Sequence, residues 1–145
     1  MSVYVLDTDH FSLHLRGHQQ VHERLALIAP EQVAITIITA EEHLRGRLAQ
    51  VNKAAPGHAR STAYAYLHKA ITDLAKLNIL DYDTAADIIY QELKRHRLRV
   101  GSQDLRIAAI TLANQGCLVT RNRSDFERIS GLVCEDWTIL TDDAP

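Results

Sequence analysis

The stretch from Val100 to Phe126, VGSQDLRIAAITLANQGCLVTRNRSDF, most constrains how this chain can fold. Apolar residues recur at near-helical spacing from Leu105 to Ala113 and the pattern stops at Gly116, which predicts a helix capped by Ser102. The apolar run CLVT that follows predicts a short buried strand. A helix that leads directly into a buried strand is typical of α/β proteins, in which polar side chains beyond the strand ends line the active crevice.

Polar and acidic side chains flank this unit at both ends. Asp104 lies in the first turn of the predicted helix, and Asn122 and Asp125 follow the predicted strand. Because parallel strands present their carboxyl ends at one edge of a sheet, we expect these side chains near a shared crevice.

The remaining sequence alternates between short apolar runs and amphipathic segments. Strands are predicted at 3–6, 33–38, 78–82 and 132–137, and helices at 10–15, 19–29, from Thr39, at 62–77, from Asp83 or Thr84, and at 126–129. Thr8 or Asp9 is predicted to cap the first helix. This order predicts an α/β fold with a central, mostly parallel β-sheet flanked by α-helices.

Composition bounds the function only loosely. The net charge of −2 gives no argument for a nucleic-acid partner, but the segment 94–128 holds eight Lys or Arg residues and only three acids. Such a zone suits a polyanionic substrate, although 94–99 alone reads equally well as a solvated helix face. No run approaches the roughly 20 apolar residues of a membrane span, and no signal peptide is expected. Cys117 and Cys134 are interpreted as buried, reduced thiols of a cytoplasmic protein.

Four acidic residues occupy equivalent places in this pattern, at strand ends or helix starts: Asp7, Glu42, Asp104 and Asp125. Carboxylates gathered at one sheet edge would repel one another without a cation. A set of oxygen ligands without Cys indicates Mg²⁺ or Mn²⁺. We interpret their neighbours Asp9 and Glu41 as helix-cap or first-turn acids.

Four motifs carry a more specific resemblance. The segments LDTDHFSL, ITAEEHLRGRL, QDLRIAAITLAN and LVTRNRSDFERISGL occur in this order and span nearly the whole chain. Together they resemble the motifs of PIN-domain ribonucleases, and most of all the VapC toxin group of type II toxin–antitoxin systems. In the second motif a Glu precedes Gly by four residues, and counting back from Gly46 selects Glu42.

The resemblance implies a PIN-like domain over 1–140, with an inserted helical pair at about 58–98 and an acidic tail at 141–145. It implies an Mg²⁺-dependent endoribonuclease, with Mn²⁺ as a possible replacement, that cleaves RNA such as transfer RNA. A homodimer and neutralisation by a VapB-type antitoxin are also implied, with contacts on the inserted helices.

The resemblance also assigns residues. Asp7 and Asp104 are expected to bind the metal, with Glu42 and Asp125 as further catalytic acids. Asn122 departs from family members that carry an acid there, which leaves a second metal open. Substrate contacts are expected from six residues near the motifs: Thr8, Arg106, Thr120, Arg121, Asn122 and Arg123.

Three other interpretations stay open from the sequence. In a haloacid-dehalogenase-like phosphatase, Asp7 would be the nucleophile and Asp9 the acid. A non-catalytic PIN-like interaction module would retain the acids without activity. The histidines His10, His14, His18 and His22 are spaced by four residues, but Gly17 interrupts their helix and a zinc site is not favoured.

Overall fold

The computed structural model describes residues 2–139 and has a five-stranded, all-parallel sheet in the order β3-β2-β1-β4-β5. The strands are β1 (Tyr4–Leu6), β2 (Val33–Thr36), β3 (Ile79–Leu80), β4 (Cys117–Val119) and β5 (Val133–Glu135). The predicted α/β fold with a central parallel sheet is therefore confirmed.

Helices connect every pair of successive strands. They are α1 (Thr8–Leu15), α2 (Gln19–Ala26), α3 (Ile37–Lys53), α4 (His58–Ala75), α5 (Thr84–Arg95), α6 (Ser102–Ala113) and α7 (Arg123–Phe126), with a 3-10 turn at Pro30–Gln32. Several predicted bounds were wrong. The second helix ends at Ala26, the fourth begins at His58, and the last turn begins at Arg123.

The central strand β1 separates two hydrophobic cores. Val5 belongs to a core with Ile107, Ile110 and residues of α5, whereas Leu6 belongs to a core with Trp137 and residues of α1. Because successive side chains of a strand point to opposite faces, the two cores cover the two sides of the sheet. The burial of both faces matches the continuous apolar sequence of β1.

The helix caps differ from three of the sequence predictions. Asp7 caps α1, in place of Thr8 or Asp9, and Thr36 caps α3, in place of Thr39. Gly101, not Ser102, is the N-cap residue of α6. Asp83 caps α5, as one of the two predicted candidates.

The segment 58–98 contributes to both helical layers. It consists of α4, the edge strand β3 and α5, and α4 packs on α3 while α5 packs on α6. The predicted acidic tail at 141–145 lies outside the described residues. Within residues 2–139, no helix has the length and apolar character needed to cross a membrane.

The two cysteines are free thiols. Cys117 is buried as predicted, but Cys134 is only half-buried because it lies on the edge strand β5. Burial raises the pKa of Cys117 to about 12 and that of Cys134 to about 11, so both stay protonated and unreactive at neutral pH.

Candidate functional site

Asp7 stands at the carboxyl end of the central strand, and two short hydrogen bonds fix it there. Its backbone N–H donates to the Val119 carbonyl at 3.0 Å, which extends the pairing of β1 with β4. Its Oδ1 accepts the backbone N–H of His10 at 2.7 Å, so the same carboxylate caps α1. Asp7 is only 7% exposed. The capping bond and the burial together hold this side chain in place.

Glu42 reaches the same edge from α3. Its Oε1 accepts a hydrogen bond of 2.8 Å from the Thr8 hydroxyl, which also lies 3.0 Å from the Thr39 hydroxyl. Since α3 begins at Ile37, Glu42 lies in the second turn and not in the predicted first turn. The neighbouring Glu41 is exposed and bonded to Arg45.

Asp104 lies in the first turn of α6, as predicted, and is half-buried. Burial raises the pKa of its carboxyl group, and the negative charges of Asp7, Glu42 and Asp125 raise it further. Each of the other three predicted acids is therefore close enough to Asp104 to repel its negative charge. A bound divalent cation would relieve this repulsion.

Asp125 lies in α7, just beyond β4. Its Oδ2 accepts a hydrogen bond of 2.9 Å from the Asn122 side chain. The turn between β4 and α7 is fixed by Thr120, whose hydroxyl accepts the Asn122 backbone N–H at 2.9 Å. Thr120 is fully buried, so any effect on a substrate would be indirect, through the placement of Asn122.

A cleft of about 490 Å³ opens over this edge of the sheet. Asp7, Thr8, Asp9, Ser12, Asp104, Arg121, Asn122 and Phe126 line it. The cleft wall thus includes three of the six predicted substrate-binding residues, Thr8, Arg121 and Asn122.

An ion pair that the sequence did not predict spans the cleft mouth. Arg121 donates two hydrogen bonds to the Asp9 carboxylate, from Nε at 2.6 Å and from Nη2 at 2.7 Å. This contact lowers the pKa of Asp9 and raises that of Arg121. The two residues are 112 positions apart in sequence. Asp9, interpreted above as a helix-cap or first-turn acid, lies in the first turn of α1 and also orients a cation at the site.

Two predicted substrate-binding arginines have other neighbours. Arg106 lies over the Tyr90 ring at 5.1 Å and bonds to Gln103 at 2.6 Å. Arg123 lies near Cys134, where burial raises the pKa of the thiol and the charge of Arg123 opposes that rise. Neither residue is among those that line the cleft.

The donor set of the cleft fits a hard divalent cation. Asp7 and Asp104 offer carboxylate oxygens, with Glu42 and Asp125 close by, and all are ligand types that Mg²⁺ and Mn²⁺ prefer. Ligand atoms of Asp7, Asp9 and His10 also lie within 4.8 Å of one another. His10 was not expected here, because its position on a helix gave no signal that it would be buried beneath Asp7.

The other histidines do not form a zinc site in the described part of the chain. The rings of His14 and His22 lie 4.9 Å apart, without a Cys or acid that completes a tetrahedral set. Burial and the neighbouring His22 lower the pKa of His14, which keeps its ring neutral at pH 7.

Comparisons with known proteins agree with this geometry. The PIN domain family model matches residues 4–132. The chain is 41% identical over 68 residues to the tRNA(fMet)-specific endonuclease VapC of Salmonella typhimurium, an alignment that covers 44% of this chain and 52% of the relative. The chain therefore spans about half the length of the first curated relatives it matches.

Longer matches carry lower identity. Ribonuclease VapC1 of Haemophilus influenzae strain R2866 is 26% identical over 143 residues, which covers 94% of this chain and 98% of the relative. The structure of DNA-bound VapBC from Salmonella typhimurium is similar with a TM-score of 0.73 and 29% identity, and the match covers 94% of this chain and 99% of that one.

Proposed function

Because this chain belongs to the PIN domain family, we propose that it is a metal-dependent endoribonuclease toxin. One observation carries the proposal. Asp7 and Asp104 line the same cleft, and the charges of Asp7, Glu42 and Asp125 add to burial in raising the pKa of Asp104, so the acids lie near one another at this end of the sheet. Such a cluster costs folding stability and is typical of a functional site.

The carboxylates have distinct tasks in this proposal. Asp7 and Asp104 would hold an Mg²⁺ or Mn²⁺ ion, and such an ion would supply positive charge near the scissile phosphate and lower the pKa of a bound water. Glu42, oriented by the Thr8 hydroxyl, and Asp125, oriented by Asn122, keep the ligand set in place. Arg121 lies at the cleft mouth, where a guanidinium can neutralise the RNA backbone. Arg106 and Arg123 would contact RNA only outside the cleft.

The relatives support a choice of substrate and partner. The Salmonella relative is a tRNA(fMet)-specific endonuclease, and we propose transfer RNA as the substrate class. The similar VapBC structure supports a VapB-type antitoxin that neutralises this chain, and we also propose a homodimer. The two free thiols suit the reducing cytoplasm, where we place its action.

The decisive experiment is cleavage of purified transfer RNA, with Mg²⁺ and with EDTA, by protein separated from any co-purified antitoxin. The key variant is Asp7→Asn, because Asn caps a helix as well as Asp and should keep α1 intact. The matched pair is Glu42→Gln and Glu41→Gln on adjacent positions of α3. We expect Asp7→Asn and Glu42→Gln to lose cleavage by 100-fold or more and Glu41→Gln to retain it. Equal cleavage in EDTA, or by Asp7→Asn, would overturn the proposal.

The phosphatase alternative has less support. It requires Asp9 as a proton donor, but two hydrogen bonds from Arg121 hold the pKa of that carboxyl group below its usual value. If the wild-type protein had a phosphatase activity that Asp9→Asn abolished, the phosphatase would become the favoured function.

A further inference from the structure

His10 is a fully buried imidazole directly beneath the proposed site. It is 0% exposed, and it belongs to the first turn of α1, which Asp7 caps. Among the residues that the structure describes, its Nδ1 has no hydrogen-bond partner, and it lies 3.4 Å from Oδ1 of Asp7. A buried polar atom without a partner is costly, so its place beside a carboxylate calls for an explanation.

The contacts of the other ring nitrogen fix the tautomer. The backbone N–H of Trp137, just after β5, donates to His10 Nε2 at 3.3 Å. A neutral imidazole has one donor nitrogen and one acceptor nitrogen, so an accepting Nε2 leaves the hydrogen on Nδ1. Asp136 Oδ1, the other charged group near the ring, is 3.7 Å from Nε2 and already accepts two hydrogen bonds from Thr138.

We propose that His10 is a positioning residue for Asp7. Its Nδ1–H lies beside Oδ1 of the carboxylate at 3.4 Å, a charge–dipole contact and not a hydrogen bond, and the same Oδ1 accepts the His10 backbone N–H at 2.7 Å. In the described residues all hydrogen bonds and ion-pair contacts of this carboxylate fall on Oδ1, which leaves Oδ2 for a cation in the cleft. Trp137, two residues beyond β5, sets the tautomer of His10 and through it orients the proposed metal ligand Asp7. This inference rests on the proposed function.

Two variants separate positioning from simple packing. In His10→Asn the side-chain amide takes the place of Nδ1 and can still present an N–H to Asp7. In His10→Gln the amide takes the place of Nε2, so it can still accept from Trp137 but no longer reaches Asp7. Partners of metal-ligating carboxylates typically contribute about 10- to 100-fold in metal affinity. We therefore expect Mn²⁺ affinity, measured by calorimetry, to fall by that factor in His10→Gln and to stay within about threefold of the wild type in His10→Asn.

Thermal unfolding of both variants without metal provides the comparison. Two outcomes would overturn the inference and leave His10 as a packing residue. One is a loss of Mn²⁺ affinity that parallels the loss of Tm in the two variants, and the other is an equal Mn²⁺ affinity in both variants. Wild-type protein that binds no Mn²⁺ would instead contradict the proposed function.

A second measurement needs neither metal nor variant stability. The ¹H–¹⁵N correlations of the histidine rings in wild-type protein report which nitrogen of His10 carries the hydrogen. The Nδ1–H tautomer supports the inference even if both variants fail to fold. The Nε2–H tautomer overturns it.

Discussion

At the residue scale, Asp104 is an acid whose ionised form the fold disfavours. Its pKa is raised by burial first and then by Asp7, Glu42 and Asp125. A folded-state pKa above the unfolded value of 3.8 means that ionisation of Asp104 destabilises the fold as pH rises through that range. We expect Asp104→Asn to raise the Tm of metal-free protein at pH 7, by about 2–4 °C for each kcal/mol relieved.

The measurement is thermal unfolding in EDTA at pH 7 and again near pH 4, where the advantage of the variant should shrink. Glu31→Gln is the matched control, because Glu31 is exposed and precedes β2 at the opposite edge of the sheet. Added Mg²⁺ should stabilise the wild type more than Asp104→Asn. A lower Tm for Asp104→Asn in EDTA would show that the charge stabilises the fold.

At the residue scale, the sequence predicted which acids converge but not what holds them. Asp7 and Asp104 could be placed from their positions after a strand and at a helix start. The bond from Thr8 to Glu42 joins residues 34 positions apart, and the contact of His10 with Trp137 joins residues 127 apart. Such contacts depend on how helices pack on the sheet, which local sequence patterns do not determine.

At the scale of elements, the order of strands and helices followed from hydrophobic pattern, whereas the caps did not. In the turns after β1 and β2 the last extended residues, Asp7 and Thr36, become the caps themselves. Such a residue keeps extended backbone angles while its side chain bonds to the new helix, so it satisfies both elements. A sequence prediction that inserts a turn between the strand and the helix therefore places the start of the helix too late.

The Asp9–Arg121 pair joins α1 to the turn between β4 and α7, so it couples two elements of the site. The side chains are 41% and 50% exposed, and pairs in such settings contribute at most about 1 kcal/mol. We expect a double-mutant cycle of Asp9→Asn and Arg121→Gln to give a coupling free energy of unfolding of about 0.2–1 kcal/mol. Arg121→Gln should weaken RNA binding more than that loss of stability explains.

The exposed pair Glu41 and Arg45 on α3 serves as the control cycle, since it has similar chemistry outside the cleft. Its variants should leave RNA binding unchanged. If the variants of both pairs changed RNA affinity by the same factor, the Asp9–Arg121 pair would have no specific role in RNA binding.

For the whole molecule, the two cores on opposite faces of one sheet raise the question of whether the chain unfolds as a unit. Trp137, the single tryptophan, is 0% exposed and reports on one core, whereas Ile110 lies in the other. Both cores pack on β1, whose alternate side chains belong to each, so loss of one core should remove the support of the other. The prediction of a single domain requires this cooperativity.

We therefore expect Ile110→Ala to destabilise the protein by about 2–5 kcal/mol and to shift the tryptophan-fluorescence and circular-dichroism midpoints equally. Urea unfolding with both probes is the measurement. Ile88→Ala is the control, because Ile88 is 65% exposed and its loss should shift neither midpoint appreciably. A circular-dichroism midpoint that moves while that of Trp137 stays would mean that each face of the sheet unfolds separately. The acids of the site, which come from the end of β1 and from α3, α6 and α7, would then lose their relative placement whenever either core opens.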